Sequence, residues 1–416
     1  MQESRDLEFK KEISNTFLKT VSAFSNFGTG KIIFGIDDDG KTVGLDETKD
    51  ARLMIENKIN DSIVPKPDFA VNTDTKNGTI MLTVFEGRYK PYLYKGKAYR
   101  RQDTSSVEVD QLELKRLTLE GDNLYYEELP CEAKQLTFEY FEQKVKEKIG
   151  IKKLTTDILR TFGFYTDERK WNHAAALFAD KNTFCGTDIV RFGESINVIF
   201  DRDTVFGLSV LEQYDRALAM FSRHYQYEEI NGTERVKKEK IPEMAFREAV
   251  ANALVHRMWD INSYIRIAMF PDRIELTSPG GLPRGITAEE YLRGRISNLR
   301  NPIVGNVFFR LHYIEMFGTG IPRIFEAYRG AVRKPAFSVT PNSVTVILPV
   351  FSEEYHVNTE EKIILSCLSH GGRMTSREIA EACGFKKEKA LRLLNRLREM
   401  NYVKRSGAGR ATVYFL

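Results

Sequence analysis

Residues 9–45, FKKEISNTFLKTVSAFSNFGTGKIIFGIDDDGKTVGL, constrain the fold of this chain more than any other stretch. Ile13, Phe17, Val21 and Phe24 recur every three or four residues, which predicts an amphipathic helix. Asn26, Gly28 and Gly30 stop it. Ile32, Ile33 and Phe34 form a short apolar run, the pattern of a strand buried on both faces. Asp37-Asp38-Asp39-Gly40 predicts a tight turn, after which Val43-Gly44-Leu45 re-enters apolar structure. The order helix, glycine turn, strand excludes a phosphate-binding loop at Gly28-Thr29-Gly30-Lys31. Such a loop needs a strand before it, a helix after it, and Ser or Thr where Ile32 stands.

Upstream, Glu8-Phe9-Lys10 leads into this helix, so Glu3 and Glu8 read as surface carboxylates near its positive N-terminal end. Downstream, residues 46–63 predict a polar helix ended by Pro65 and Pro67. Strands follow around 69–71 and 80–85. Residues 89–101 interleave Tyr89, Tyr92, Tyr94 and Tyr99 with Lys90, Lys95, Lys97, Arg100 and Arg101. Two readings stand: a nucleic-acid-contacting surface, or a solvated edge hairpin whose lysines discourage strand addition.

The motifs of this first region resemble the Schlafen-type AlbA-like domain over about residues 1–120. They are E-x4-EFK at Glu3 and Glu8, AFSNFGTGKIIFGIDDDGKTVGL, and Tyr-Arg-Arg at 99–101. The resemblance implies an α/β nucleic-acid-associated domain. In animal relatives the domain cleaves structured RNA through three acidic residues, which match Glu3, Glu8 and Asp37 here, with Asp38 next. Converging carboxylates of this kind hold Mg²⁺ or Mn²⁺ against a phosphodiester. The animal nucleases pair two copies of the domain. This chain has one copy, and single-copy relatives are described as DNA-binding regulators.

A chain of 416 residues allows about two to four domains. Its composition, 42% apolar and 29% charged, is that of a soluble globular protein. No run is long enough to span a membrane. The charged start, MQESRDLEFKKE, is neither a signal nor a transit peptide. Cys131, Cys185, Cys367 and Cys383 form no CxxC pair, which argues against a zinc ribbon or a disulfide framework. A cytoplasmic location is the expectation.

In the middle, helices are predicted at 137–150, 155–162, around 170–181 and at 208–224, with strands at 189–192 and 196–200. The stretch IPEMAFREAVANALVHRMWD then places Glu248 and Asn252 four apart, on one face of a helix entered at Pro242. Residues 264–270 and 273–276 predict a hairpin around Pro271-Asp272. EAVANALVH, DRIEL, SPGGLP, RNP and GTGI together resemble the C-terminal domain of RecG-related regulators, a degenerate relative of the GHKL ATPases, over about residues 131–351. The resemblance implies Glu248 as general base, Asn252 as a Mg²⁺ ligand, and Gly280, Gly281, Gly318 and Gly320 as nucleotide-approaching glycines. The loop Ser278-Pro279-Gly280-Gly281 lacks the Asp that receives adenine in that superfamily. No motor motif of a helicase is present. His256 is a lone histidine, better read as structural.

After a polar linker at 352–361, the last residues read as a winged helix. Thr375 with Glu378 makes a capping box for its second helix. Its third helix turns Ala390, Leu391, Leu394 and Leu397 inward and leaves Lys386, Lys387, Lys389, Arg392 and Arg396 outward. Gly407 and Gly409 turn a two-stranded wing carrying Arg405 and Arg410. Residues 357–416 hold 12 Lys/Arg and 6 Asp/Glu, a balance of +6. The net charge of +4 therefore leaves −2 for everything before them. A basic module on a near-neutral body points to a polyanion, and the third helix of such a unit enters the major groove of DNA.

The expectation is thus a multidomain α/β (α+β) protein: an AlbA-like domain at 1–120, a GHKL-like sandwich at 121–351 and a winged helix-turn-helix at 357–416. Its expected role is DNA-binding transcriptional regulation, with a ligand- or nucleotide-sensing or dimerising middle. The alternative is a metal-dependent nuclease acting on tRNA or other nucleic acid. Arg100 and Arg101 are expected to add a second nucleic-acid contact. ATP and Mg²⁺ or Mn²⁺ are the candidate cofactors. DNA, then RNA, and a second copy of the chain are the candidate partners.

Overall fold

The structure is a computed structural model and describes residues 2–283, 286–294, 298–329, 331, 333–351, 358–399, 402–407, 409 and 412–416. The chain forms two compact units, Met1–Tyr126 and Glu127–Leu416.

The first unit runs β1 (Leu7–Lys10), α1 (Phe17–Phe27), β2 (Gly30–Phe34), α2 (Thr48–Ser62), β3 (Ile63–Val64), β4 (Phe69–Asp74), β5 (Thr79–Val84), β6 (Leu93–Tyr94), β7 (Tyr99–Gln102), β8 (Ser105–Glu108) and α3 (Gln111–Gly121). Its main sheet has the order β1-β2-β5-β4, with β1 parallel to β2 and the other pairs antiparallel. Phe17, Leu18, Val21 and Phe24 of α1 pack with Ile55 and Ile59 of α2 on Ile32, Phe34, Ile80 and Leu82. At Gly28 the backbone leaves the helix with φ +143°. Gly30 is required because a Cβ there would run into the Phe24 ring.

Three sequence expectations change here. Residues 7–10 are a strand, not the lead-in to a helix, and α1 begins at Phe17 rather than near Ile13. The strand β2 is buried on alternate residues: Ile32 and Phe34 face the core, Lys31 is exposed and Ile33 is half-buried. A continuous apolar triplet thus sits in a strand with one well-covered face. Finally, the tyrosines of 89–101 are mostly core: Tyr92, Tyr94 and Tyr99 are buried, and only Tyr89 stands out at 75% exposure. Lys90 is also buried, its ammonium bridging Glu86 at 2.6 Å and Glu120 at 2.5 Å.

The second unit begins with α4 (Glu139–Ile149), α5 (Thr156–Thr161) and α6 (His173–Phe178). It continues with β9 (Cys185–Phe192), β10 (Ile199–Phe206), α7 (Val210–Tyr225) and a hairpin of β11 (Gln226–Asn231) and β12 (Glu234–Glu239). Then come α8 (Glu243–His256), β13 (Ile265–Met269), β14 (Arg273–Pro279), α9 (Ala288–Arg293), α10 (Pro302–Arg310), α11 (Gly320–Ala327), β15 (Ala336–Val339) and β16 (Ser343–Pro349). The six-stranded sheet has the order β10-β9-β13-β14-β16-β15, parallel only at β9–β13. The helix α8 is buried along Phe246, Ala249, Val250, Ala253 and Leu254, whose small residues let it sit close to the sheet. The second strand of the β9–β10 hairpin begins at Ile199 rather than Ile196, and the β11–β12 hairpin was not anticipated by the apolar pattern because its residues are mostly charged.

The C-terminal module is α12 (Thr359–Gly371), β17 (Met374–Thr375), α13 (Ser376–Cys383), α14 (Lys387–Glu399), β18 (Lys404–Ser406) and β19 (Val413–Phe415). The Thr375/Glu378 capping box is formed, and a second one, Asn358/Glu361, opens α12. Gly384 ends α13 with φ +68°. The sheet has three strands, order β17-β19-β18, one more than the expected wing. Its core joins Ile364, Leu365 and Leu368 to Ile379, Leu393, Leu394 and Leu397. Leu393 is buried where Leu391 was expected. Most of the linker, 352–357, lies outside the described residues.

Candidate DNA interface, ligand pocket and acidic cluster

The three carboxylates of the first unit occupy three separate hydrogen-bond systems. Glu3 Oε1 accepts the Phe9 N–H at 2.8 Å. Glu8, 4% exposed, projects from β1 toward α1 and β7. Its Oε2 accepts the Thr20 hydroxyl at 2.6 Å and pairs with the Arg101 guanidinium, and its Oε1 pairs with Lys10 at 2.8 Å. Asp37, in the turn after β2, accepts the Lys41 N–H at 2.8 Å. Among the described residues, no three His, Cys, Asp or Glu side chains form a group that could hold a metal. Glu8 is opposite Ile32 in the β1–β2 register, five residues before Asp37. Among the described residues the three carboxylates thus form no metal-holding group of the kind the resemblance implies. Arg101 is corrected likewise: it is buried and committed to Glu8, not displayed. Arg100 is exposed and faces Glu113 at 3.4 Å.

The middle of the second unit brings its predicted positions together. Asn252 Nδ2 lies 3.5 Å from Glu248 Oε1 on α8. Burial pushes the Glu248 carboxyl up, and Arg323, Arg247 and the Asn252 amide pull it back. A Cβ on Gly320 would come within 2.8 Å of Asn252 Nδ2 and closer still to Glu248, so a side chain here would have to displace the Glu248 carboxylate and the Asn252 amide. Gly281 is held against the Pro341 carbonyl, where a Cβ would approach to 2.5 Å. Glu248, Asn252, Gly318 and Gly320 line a cavity of about 70 Å³ with His256. Gly280 and Gly281 line a second, of about 30 Å³, which shares Asn252, His256, Pro283 and Tyr291. Pockets for ligands of nucleotide size are roughly 300–1,000 Å³. The residue set suits a polar ligand, and the space enclosed among the described residues is smaller than a nucleotide occupies.

Several supporting residues were not legible beforehand. Arg300 donates to the carbonyls of His256 at 3.0 Å and Gly281 at 2.9 Å. Asn301, buried, donates to those of Val255 at 2.7 Å and Arg257 at 2.8 Å. The RNP motif thus satisfies the C-terminal carbonyls of α8, and Pro302 then opens α10. Glu127, fully buried, accepts the Ile303 and Val304 N–H groups at the start of α10, at 2.5 and 3.0 Å. Desolvation outweighs those two donors and pushes its carboxyl up to about 8. The Pro after Asn301 signalled a helix start; nothing local signalled Glu127. Burial and Arg300 hold the half-buried His256 imidazole down at about 4, so it is neutral at pH 7.

On the C-terminal module, Lys386, Lys387, Arg392 and Arg405 are exposed and make no ion pair among the described residues. Lys389 pairs with Glu360, and Arg396 lies 3.3 Å from the buried Glu361 of α12. Two of the expected contact cations are thus partly neutralised from behind. Arg410 lies outside the described residues. The leading end of α14 is the end that reaches base edges in helix-turn-helix docking, and it is where the unpaired cations cluster.

Three family models match, in chain order: "Schlafen, AlbA_2" at residues 3–110, "Putative ATP-dependent DNA helicase recG C-terminal" at 262–348, and "Winged helix-turn-helix DNA-binding" at 361–404. The chain therefore has the AlbA-like, ATPase-like and winged-helix architecture that its motifs carry, with residues 361–404 matching a DNA-binding type of module. The second match begins after α8, so it does not include Glu248 and Asn252. No curated protein matches. Among solved structures, the DIP2311 protein of Corynebacterium diphtheriae is similar at 19% identity over 99% of this chain and 92% of that one, with a TM-score of 0.49. The N-terminal domain of a RecG-related protein of Nitrosomonas europaea is 22% identical over 26% of this chain and 86% of that one, with a TM-score of 0.19. No helix among the described residues is long and apolar enough to cross a membrane.

Proposed function

We propose that this protein is a transcriptional regulator that binds duplex DNA through its winged helix and senses a small polar ligand in the Glu248–Asn252 pocket. The observation that carries the reading is the cluster of unpaired cations, Lys386, Lys387 and Arg392, at the leading half of α14. Phosphate contacts from such side chains supply affinity, and the helix supplies base readout. A nucleotide is the ligand class favoured by the glycine positions around Asn252. Its entry requires the pocket walls to part, which would link occupancy to a change in shape. Mg²⁺ would have Asn252 and Glu248 as its candidate protein ligands.

The nuclease alternative lacks an assembled carboxylate group, and Glu8 is held in a structural ion pair. The test is a selection from random duplexes followed by gel-shift titration, in EDTA and, as a separate arm, with ATP and Mg²⁺. A selected sequence bound by the full chain, and lost on deleting residues 358–416, supports the reading. Absence of duplex binding, or Mn²⁺-dependent cleavage abolished by Asp37→Asn, overturns it. Asp37→Asn is the suitable variant because it keeps an acceptor for the Lys41 N–H.

A further inference from the structure

We propose that Cys367 and Cys383 are an oxidation site: a hydroperoxide joins them in a disulfide that ties α12 to the turn in front of α14. Cys367 lies in the body of α12, and Cys383 is the last residue of α13. The fold brings their sulfurs to one place. Cys383 Sγ sits 3.9 Å from the Ile363 carbonyl, which belongs to the turn of α12 just before Cys367. A helical side chain leans toward the preceding turn, so the Cys367 thiol covers that same spot. The two thiols interact directly there. Met374 adds a third sulfur, its thioether 3.8 Å from Cys367 Sγ. It fits because residue 371 is glycine; a Cβ there would run into the thioether.

Both cysteines of the pair are half-buried, so a small oxidant reaches them. Of the other two, Cys185 is buried and donates to Asn262 at 2.8 Å, and burial pushes the Cys131 thiol up. Burial, and then the neighbouring thiol, also push Cys383 up, so it stays protonated at neutral pH. Cys367 is therefore the attacking sulfur. Its thiolate forms a bond to one oxygen of hydrogen peroxide, the O–O bond breaks, and hydroxide leaves. Cys367 is then a sulfenic acid. The Cys383 sulfur attacks the Cys367 sulfur, the S–O bond breaks, and the Cys383 proton leaves with that oxygen as water. Two electrons pass from the sulfurs to the peroxide. The sum is two thiols and one peroxide giving one disulfide and two waters.

A disulfide holds its sulfurs at about 2.0 Å, closer than thiols that merely touch. Closing it draws the end of α13 toward α12. Cys383 is followed by Gly384 at φ +68°, by Phe385 packed on the module's core, and then by Lys386 and Lys387. The tether thus acts just ahead of two cations of the proposed DNA contact. Oxidation is expected to pull them from the phosphates, a consequence that rests on that proposed function.

The experiment treats the reduced full chain with one equivalent of hydrogen peroxide and maps its peptides by mass spectrometry. The expected product is a linked pair of peptides carrying Cys367 and Cys383, lighter by two hydrogens, with Cys131 and Cys185 still reduced. Cys383→Ser is expected to stop at the Cys367 sulfenic acid, captured by a cyclic 1,3-diketone, whereas Cys367→Ser leaves Cys383 unlabelled. In gel shifts on a selected duplex, the oxidised wild type is expected to show a salt slope lower by about 1–2, one for each displaced lysine. A dithiol reductant is expected to restore it, and Cys383→Ser to bind alike before and after peroxide. Absence of the linked peptide, or diketone labelling of Cys131 before Cys367, overturns the inference. So does a linked chain that binds its duplex unchanged. A chain that binds no duplex even when reduced defeats the regulator reading instead, and the peptide map and labelling still decide the oxidation site.

Discussion

Replacing Glu8 by Gln tests whether this carboxylate is structural. The side chains of Glu8 and Arg101 are 5% and 4% exposed, and Lys10 and Thr20 complete the shell. Removing one partner of a buried pair leaves the other charge desolvated without compensation, which costs about 3–5 kcal/mol. The guanidinium is poorly served otherwise: Arg101 Nε is already buried without a partner, and Nη1 reaches Ser106 only at 3.3 Å. The assay must report on the first unit alone. Both tryptophans, Trp171 and Trp259, lie in the second unit, so intrinsic tryptophan fluorescence would miss the event. Hydrogen exchange of α1 and β2 peptides reports it directly. At 1.4 kcal/mol per factor of ten, the slowest amides should exchange roughly 10² to a few times 10³ times faster, up to the stability of the unit itself. The double variant Glu8→Gln with Arg101→Met should recover much of that loss, since it removes both charges. Unchanged protection in Glu8→Gln would refute the reasoning and reopen Glu8 as a free carboxylate available to a metal.

Lys387→Ala and Arg392→Ala should each weaken duplex binding across sequences and lower the slope of log affinity against log salt by about 1, whereas Glu360→Gln, which frees Lys389, should raise affinity; salt-titrated gel shifts read both. Glu127 keeps a proton in the fold to about pH 8 that the unfolded chain releases near 4.5. Its contribution is complete below the lower value and is lost as pH rises through the upper one. The melting temperature of the second unit should therefore fall between pH 5 and 8, on the order of a few kcal/mol in stability, and Glu127→Gln should flatten the slope. Gly320→Ala should destabilise by about 1–3 kcal/mol, because the new methyl meets Glu248 and Asn252, with loss of any ATP-induced thermal shift.

The local elements were largely legible, because helices and strands leave periodic apolar patterns and caps leave short-range polar ones. The prediction of α2, the hairpin at Pro271-Asp272, the Thr375/Glu378 box and the three helices of the winged module all rest on residues close in sequence. So does the pairing of Glu248 with Asn252, one turn apart on a single helix. Other features depended on partners far along the chain. Glu8 resembles a surface carboxylate until β7, 93 residues later, delivers Arg101 to it. The tyrosines of 92–99 resemble a display surface until the sheet and α1 cover them. Glu127 gives no local sign of meeting the start of α10, 176 residues on. Sequence by itself determined the longer periodic helices, the Thr375/Glu378 capping box and which end is basic, since those follow from neighbours within a few residues, whereas β1 and the charged β11–β12 hairpin left no such pattern. Only the tertiary structure decided which charges are spent in the core and which remain for a ligand, because desolvation and pairing depend on what the fold brings alongside.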